Sequence, residues 1–428
     1  MILDKATMQP SLKSSAGFHH NQKVRGLMSI SPNEELLIHF IRQYDGLSKE
    51  ELVKFTHYSR SKINRILQSL SDKNIVVETN KSQTTGGRRA MIFNMNGKLG
   101  LVAGVYLGAT SLDLILSDMA GKMMGRFSEE AFVKDGPVVI LDRICDLLGQ
   151  MLAANGFSNE NLLGIGIGVP GPVDFLLGSL IYPTIMPGWD QFPIVSYVHE
   201  TFPNAYVVVD NDVNMMAVGE FINGAGKGTN NQIFVKIGTG IGAGIICEGK
   251  IYRGTCGSAG DIAHICVDKN GPICVCGNTG CLEALAGGPA IANLGIRAIN
   301  EEKSTILQKY YDKNKGQLTS VDIGNAAREG DAVSIEIIRD SGRLIGEVIA
   351  GLVNFFNPGI IIIGGGVSKL GNLFLSSIRQ AVLKRSLPLA SSNLLITFSD
   401  LGDDAGVLGA VNMTMDTLFL AQPEEIIR

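Results

Sequence analysis

The chain has 428 residues, too many for one compact core, and its composition, with 45% hydrophobic and 18% charged residues, excludes a disordered protein. No apolar run reaches the ~20 residues that span a bilayer, and the first residues lack a signal peptide's apolar centre, which predicts a cytoplasmic protein without a membrane partner. The net charge of -4 conceals an asymmetry, because residues 1–98 carry 15 Lys/Arg against 8 Asp/Glu, whereas residues 99–428 carry 22 against 33. A basic front on an acidic body is typical of a DNA-binding head on a metabolite-binding body, although surface composition alone also produces such a difference.

The first 60 residues predict an arm followed by two helices. Residues 1–30 are polar, show no apolar period and predict a loose N-terminal arm. Ser31 followed by Pro32 is typical of a helix start. Apolar residues then recur at helical spacing, namely Leu36, Leu37, Phe40 and Ile41. A second helix is predicted from Ser48, because Glu51 three residues later completes a capping box.

A third helix and a β-hairpin follow. Ser59 predicts the start of this helix, and one of its faces is apolar, with Ile63, Ile66, Leu67 and Leu70. Strands are predicted at residues 75–79 and 90–94, joined by a polar tip at 81–89. Three short helices and a hairpin indicate a winged helix-turn-helix domain over residues 31–98.

The other face of the third helix suits the major groove of DNA. It carries the polar and basic residues Arg60, Lys62, Asn64, Arg65 and Gln68. At the wing tip, Arg88 and Arg89 suit the minor groove or the phosphate backbone. A solvated basic helix on a protein-binding domain is the alternative. One head has a small footprint, so we expect a homodimer or homotetramer on a palindromic double-stranded operator.

From residue 99 the pattern changes to βα alternation rich in glycine. Residues 102–117 resemble residues 232–247, and each copy reads as strand, glycine turn and strand. Such a duplication predicts two similar lobes facing a cleft. We assign the first lobe to residues 99–229 and the second to 230–403, with a C-terminal helix at 404–420 completing the first lobe.

Cysteine placement points to a metal site. Three of the seven cysteines lie within eight residues, and His264 precedes them in the pattern H-x9-C-x-C-x4-C. Zinc takes four tetrahedral N/S ligands in structural sites, and two glycines in C-V-C-G-N-T-G-C allow the turn that aims the thiolates inward. The pattern predicts structural zinc, with free buried thiols as the alternative. The predicted ligands are His264, Cys274, Cys276 and Cys281.

Several motifs over residues 99–412 resemble the ROK family of repressors and sugar kinases. They are G-I-G-I-G-V-P-G-P-V-D (164–174), V-D-N-D-V-N (209–214), I-G-T-G-I-G-A-G (237–244), A-G-D-I-A-H (259–264), C-V-C-G-N-T-G-C-L-E (274–283) and I-I-I-G-G-G-V (361–367). The predicted head resembles the winged helix-turn-helix that ROK repressors carry and ROK kinases lack. The resemblance implies an α/β actin-like (ribonuclease H-like) two-lobed sugar-kinase fold with a sugar in the cleft.

The resemblance also implies sugar-binding residues. Those that match the family's motifs are Gly171, Asn211, Asp212, Asp261, His264 and Glu283. Polar groups in glycine-rich, otherwise apolar turns need partners when buried, which fits sugar hydroxyls, although capping of turns remains the alternative, above all for Asn211. His264 would bind zinc through one ring nitrogen and offer the other to the sugar. Asp212 matches the family's catalytic base, a role it would perform only in an active enzyme.

The resemblance assigns nucleotide binding to glycine-rich turns. These positions are Gly108, Thr110, Gly238, Thr239, Gly240, Gly365 and Gly366. The first turn departs from the family, because D-I-G-G-T-K is replaced by Y-L-G-A-T-S, with Tyr106 at the acidic position and Ser111 at the lysine position. A phenol with a pKa of ~10 is neutral at pH 7 and a poor Mg²⁺ ligand. The departure predicts an impaired phosphotransfer site and argues against ATP and Mg²⁺ as working cofactors. Asp261 is also one methylene shorter than the family's glutamate.

These observations leave three hypotheses. The leading one is a repressor of carbohydrate genes whose operator affinity changes when a monosaccharide or sugar phosphate closes the cleft. The second is an ATP-dependent, glucokinase-like sugar kinase with a regulatory head, favoured by Asp212 and the second glycine turn and opposed by Tyr106. The third is a repressor controlled by a protein partner. ADP formation separates the first two, and stabilisation by a sugar separates the first from the third.

Overall fold

The structure, a computed structural model, describes residues 30–80 and 91–419. The N-terminal arm before residue 30 and the wing tip with Arg88 and Arg89 lie outside these residues. In the head, the elements are α1 (Pro32–Gln43), β1 (Leu47–Ser48), α2 (Lys49–Thr56), α3 (Arg60–Asp72), β2 (Val76–Asn80) and β3 (Met91–Met95). Strand β2 begins and strand β3 ends one residue later than predicted, because strand pairing rather than the apolar pattern sets these ends.

The helix starts of the head follow the sequence. Ser31 and Ser48 each accept a hydrogen bond from the third helical residue, and the facing glutamates, Glu34 and Glu51, complete capping boxes at α1 and α2. Ser59 caps α3. The four apolar residues predicted for α3 are all buried. On α1 the buried face is turned slightly from the prediction, since Ile38 is buried while Leu36 and Phe40 are only half-buried.

The first lobe is a mixed sheet with helices around it. Its elements are β4 (Leu101–Leu107), β5 (Ser111–Asp118), β6 (Met123–Glu130), α4 (Pro137–Ala154), β7 (Leu162–Val169), β8 (Val173–Asp174), β9 (Ser179–Leu180), α5 (Ile194–Thr201), β10 (Tyr206–Asn211) and α6 (Asp212–Asn223). The main sheet has the order β10-β7-β4-β5-β6. Strand β4 pairs antiparallel with β5 and parallel with β7.

The second lobe repeats this arrangement. Its elements are β11 (Gln232–Ile237), β12 (Ile241–Cys247), β13 (Lys250–Tyr252), α7 (Leu282–Ala286), α8 (Gly288–Asn300), α9 (Thr305–Lys313), α10 (Ser320–Arg328), α11 (Ala332–Phe356), β14 (Ile360–Gly364), α12 (Asn372–Arg385), α13 (Pro388–Ser391), β15 (Leu395–Phe398) and α14 (Ala405–Leu418), the last of which packs on the first lobe. The sheet order is β13-β12-β11-β14-β15, with the same parallel and antiparallel pairings as in the first lobe. The sequence repeat therefore corresponds to a structural duplication, as expected for an actin-like fold.

Helix α14 lies against the first-lobe sheet and α6 at very close range. A Cβ on Gly166 of β7 would lie 2.4 Å from the carbonyl oxygen of Ala410, and one on Gly409 would lie 1.6 Å from the carbonyl oxygen of Met215 in α6. Any side chain at either glycine would force the helix away. The glycines thus fix α14 between the sheet and α6.

The head shares a hydrophobic core with the body. Leu37, Ile41 and Leu70 of the head belong to the same buried cluster as Val411 and Met415 of α14. The head is therefore packed on the C-terminal helix and on the adjoining part of the first-lobe sheet. No helix in residues 30–80 and 91–419 is both long enough and apolar enough to cross a bilayer.

Candidate functional site

Strand β12 gathers predicted sugar ligands along one wall of the predicted cleft. Its first residue, Ile241, donates its backbone N–H to the Glu283 carboxylate over 3.1 Å. Two residues later, the N–H of Ala243 donates to the carbonyl of Gly260 over 2.8 Å, which places Asp261 beside the same strand. Successive strand residues rise by about 3.4 Å, so these contacts lie within one short stretch. Glu283 is half-buried and Asp261 is exposed.

The same part of β12 contacts the start of α6, where Asp212 lies. A Cβ on Gly242 would lie 3.1 Å from the Val213 side chain, and Gly242 pairs in register with Lys236 on β11. The Asp212 side chain is only 3% exposed, and its carboxylate forms an ion pair with the Lys236 ammonium. The candidate base is therefore paired with a cation from the other lobe.

Tyr106 lies next to this ion pair. The Lys236 ammonium is 5.5 Å from the centroid of the Tyr106 ring. Burial alone would lower the pKa of Lys236, but the facing Asp212 carboxylate and Tyr106 hold it above its ordinary value. Burial raises the pKa of Tyr106, so this phenol is neutral at pH 7 and supplies no charge for a metal ion. The three side chains form a buried, compensated group where the lobes meet.

Asn211 and Asp210 hold the turn before α6. The Asn211 side chain accepts from the N–H of Val213 and donates to the carbonyl of Gly171 over 2.9 Å, so it caps α6 and ties it to the loop after β7. The buried Asp210 carboxylate accepts from the Arg253 guanidinium over 2.7 Å. The capping alternative considered for Asn211 is therefore realised in part, and one amide hydrogen remains for a ligand.

Three residues of this site, Lys236, Asp210 and Arg253, were missed by the sequence analysis. A signal existed for Lys236, because it interrupts the otherwise apolar run I-F-V-K-I with a charge that needs a buried partner. Asp210 lies inside the quoted V-D-N-D motif, so its position was marked but its role was not. Arg253 follows β13 in a loop without pattern, and only the folded chain places it beside Asp210.

The predicted nucleotide-binding positions lie in both lobes. Gly238, Thr239 and Gly240 form the β11–β12 turn, and Gly365, with φ of +84°, begins the turn after β14. A Cβ on Gly365 would lie 2.5 Å from the carbonyl oxygen of Ile237, so the turn containing Gly365 and Gly366 packs closely on the end of β11. Gly108 and Thr110 lie in the β4–β5 turn of the first lobe.

His264, Cys274, Cys276 and Cys281 come together, with their ligand atoms all within 4.8 Å of one another. The Cys274 sulfur lies 3.6 Å from Nδ1 of His264, and the sulfurs of Cys276 and Cys281 are 3.7 Å apart. Bond lengths of about 2.3 Å to sulfur and about 2.05 Å to nitrogen in a tetrahedral zinc site give about 3.6 Å and about 3.8 Å for these separations. The size and donor set of the cluster fit such an ion.

The turn around this cluster uses its glycines as predicted. Gly277 and Gly280 have φ of +85° and +69°, a region that favours glycine. Cys281 is fully buried, and burial with the neighbouring sulfurs raises its pKa to about 12. A thiol of this kind is protonated at neutral pH unless a cation compensates the thiolate. Cys266 is exposed and lies outside the cluster.

The predicted reading face lies on the outside of the head. Of its members, Lys62 is half-buried and the others are exposed, namely Arg60, Asn64, Arg65 and Gln68. Arg60 pairs with Glu50 over 3.1 Å, and the Lys62 ammonium lies 3.3 Å from the centroid of the Tyr58 ring. Within the described part of the chain, the Arg65 side chain has neither a hydrogen-bond nor an ion-pair partner, so its guanidinium is available to a ligand.

Comparisons with known proteins agree with this architecture. A family model described as "ROK family" matches residues 102–417. The putative xylose repressor of Caldicellulosiruptor sp. (strain Rt8B.4) is 31% identical over 92% of this chain and 98% of the relative. The glucokinase of Halalkalibacterium halodurans is 37% identical, but over 72% of this chain and 92% of the relative. A crystal structure of a ROK family transcriptional regulator, described as a homologue of the E. coli MLC protein, has a TM-score of 0.77 at 24% identity and covers 94% of this chain and 97% of its own, which supports the fold alone.

Proposed function

The chain belongs to the ROK family, and on that premise we propose that it is a sugar-responsive transcriptional repressor of carbohydrate genes. The head binds operator DNA, and a monosaccharide bound in the cleft changes the affinity of the head for that DNA. The full-length match to a protein named as a xylose repressor supports this function over a kinase, because the glucokinase match covers only 72% of the chain.

The observation that carries the proposal is a continuous connection from the cleft to the head. Helix α6 begins at Asp212 in the cleft and ends at Asn223, and its 12 residues span about 18 Å. The Asn223 side chain accepts a hydrogen bond from Asn412 of α14 over 2.6 Å. Asn412 in turn accepts from Arg42 of the head, at its carbonyl over 3.2 Å and its side chain over 3.1 Å.

This connection gives the sugar a physical means to act on DNA binding. A sugar hydroxyl that donates to Asp212, or accepts from Asn211, binds at the first turn of α6. If the bound cleft favours one position of α6 and α14, the sugar shifts the population of head arrangements toward the one that fits that position. The factor by which the sugar changes operator affinity cannot exceed the ratio of its affinities for the two arrangements.

The Cys/His cluster belongs to this proposal as a structural zinc site. Zinc bound by His264 through Nδ1 would fix the imidazole and leave Nε2 for a sugar hydroxyl. Glu283 follows Cys281 by two residues, and its backbone N–H donates to the carbonyl of Ala263, next to His264. The loop with the proposed metal ligands leads directly into α7, which carries the proposed sugar ligand Glu283, so this connection supports one geometry for both.

The experiment that tests the function is operator binding measured by fluorescence anisotropy, with upstream DNA of the gene as probe, against a panel of monosaccharides. We expect specific binding that one sugar weakens by at least about tenfold, within the usual range of coupling free energies. ADP formation from that sugar and Mg-ATP would instead identify a kinase. Operator binding that no sugar alters, without ADP formation, would favour control by a protein partner.

Arg65→Ala is expected to weaken operator binding by about tenfold and to reduce the salt dependence by about one phosphate contact if the guanidinium binds the backbone. Sugar binding and the melting temperature should not change, since the Arg65 side chain is exposed and unpaired among the described residues. Arg339→Ala, at an exposed position of α11 in the second lobe, is the matched control. Equal operator affinity of Arg65→Ala and the wild type would remove Arg65 from the reading face.

A further inference from the structure

We infer that the ion pair of the Lys236 ammonium with Asp212, beside Tyr106 where the two lobes meet, excludes negatively charged ligands and metal ions from this point, so that the effector is an uncharged monosaccharide and neither a sugar phosphate nor a metal-bound nucleotide binds there. The inference rests on the proposed function, which left a neutral sugar and a sugar phosphate open. It begins from the buried ion pair that joins the two lobes.

The Lys236 ammonium lies at the junction of the two lobes. It comes from β11 of the second lobe and pairs with Asp212 at the start of α6, beside Tyr106 of β4. A divalent metal bound at this point would need carboxylate oxygens and space for water. The available carboxylate is already compensated by an ammonium, and the neighbouring position holds a neutral phenol. A metal would have to displace Lys236 and bury its charge without a partner, which is costly.

The charge on this wall of the predicted sugar site is negative. Asp210, Asp212, Asp261 and Glu283 contribute four carboxylates, and the two cations that reach them are Lys236 and Arg253. Both cations are paired one to one within the described part of the chain. Asp261 and Glu283 therefore leave this wall with two uncompensated negative charges. A phosphate dianion would be repelled by them, and neither Lys236 nor Arg253 is unpaired and available to bind it.

Lys236 also prepares Asp212 to bind a neutral ligand. By holding Asp212 as a carboxylate in a buried position, it preserves an acceptor for a sugar hydroxyl. Because the ammonium already satisfies one carboxylate oxygen, only the remaining acceptor capacity of Asp212 is left for a ligand. A hydroxyl, which donates one hydrogen, suits that geometry. Lys236 is thus a positioning residue for the effector.

The test compares matched neutral and phosphorylated sugars on the full-length, zinc-loaded protein by calorimetry and thermal shift. The pairs are D-glucose with D-glucose 6-phosphate and N-acetyl-D-glucosamine with N-acetyl-D-glucosamine 6-phosphate, with D-xylose as a further neutral sugar. We expect binding by at least one neutral sugar, and each phosphate at least about tenfold weaker than its neutral partner. A phosphate that binds as tightly as its partner, or more tightly, overturns the inference while the proposed repressor function stands. If no sugar of the panel binds and none alters operator binding, the proposed function fails and the inference fails with it.

A second measurement is independent of the choice of sugar. Mn²⁺ binding, followed by electron paramagnetic resonance, should be absent from the cleft of the wild type at millimolar concentration. In the double variant Lys236→Ser, Tyr106→Asp, the first substitution removes the ammonium and the second supplies another carboxylate beside Asp212. We expect this variant to gain one Mn²⁺ site. Lys369→Ser, which removes an exposed lysine paired with Asp403 in the second lobe, should gain none. A wild-type Mn²⁺ site that is lost in Asp212→Asn would overturn the inference, whether or not the double variant folds.

Discussion

Arg42→Met is expected to leave operator binding intact and to remove most of the effect of the sugar on it. The Arg42 side chain is 8% exposed, forms an ion pair with Asp416 and donates to Asn412, so it is the polar contact between the head and α14. Methionine keeps the apolar stem packed and removes the charge and the donors. If the inducing sugar weakens operator binding by at least about tenfold in the wild type, we expect less than about threefold in the variant.

The same variant should remain folded. Its partner Asp416 is 44% exposed and stays hydrated when the arginine is lost, whereas the side-chain oxygen of the buried Asn412 loses its donor, so the cost is about 1–3 kcal/mol. Arg126→Met is the matched control, because Arg126 pairs with Asp404, just before α14, but lies on β6 and does not contact the head through that pair. By thermodynamic reciprocity, operator DNA should alter sugar affinity by at least about tenfold in the control and by less than about threefold in Arg42→Met. Full induction of Arg42→Met would exclude this contact as the route of coupling.

Local sequence signals predicted the head well because its helices begin at side chains that cap them. Ser31, Ser48 and Ser59 each bond the backbone within three residues, so a short stretch of sequence contains the whole interaction. The duplicated lobes were also visible, since each copy repeats a strand, a glycine turn and a strand. The start of β2 and the end of β3 lie one residue later than predicted because they depend on pairing between the two strands, which the sequence of either strand alone does not show.

The site was predicted unevenly for a physical reason. The four ligands of the Cys/His cluster lie within 18 residues, and three thiols with an imidazole at this spacing suit few functions other than metal binding. Lys236, by contrast, takes its meaning from Asp212, which lies 24 residues away and on another element. The same applies to Arg42 and Asn412, which are 370 residues apart. Ion pairs and hydrogen bonds between distant elements leave no spacing pattern, and only the packing of the folded chain reveals them.

Cys276→Ser is expected to release zinc, to lower the melting temperature and to weaken sugar binding together. Removing one thiolate from a four-ligand site leaves the other three without adequate compensation, and metal binding is coupled to folding of the loop. We expect a loss of at least about 3 kcal/mol of stability, which corresponds to at least about 6 °C for a lobe of this size. Zinc per chain, measured by atomic emission, should fall from about one to near zero.

The fall in sugar affinity is what separates a metal that only holds a loop from one that also orients a ligand. His264 is in the cluster, and its neighbour Ala263 accepts a hydrogen bond from the backbone N–H of Glu283. In the proposed function, loss of the metal is therefore expected to free the imidazole and to weaken sugar binding by about tenfold, the equivalent of one lost hydrogen bond of about 1.4 kcal/mol. Cys266→Ser is the matched control, since Cys266 is exposed, lies two residues from His264 and is not in the cluster. The control should keep its zinc, its stability and its sugar affinity. If Cys276→Ser lost zinc and stability but kept wild-type sugar affinity, measured well below its melting temperature, the cluster would stabilise the loop alone and His264 would not be a sugar ligand held by the metal.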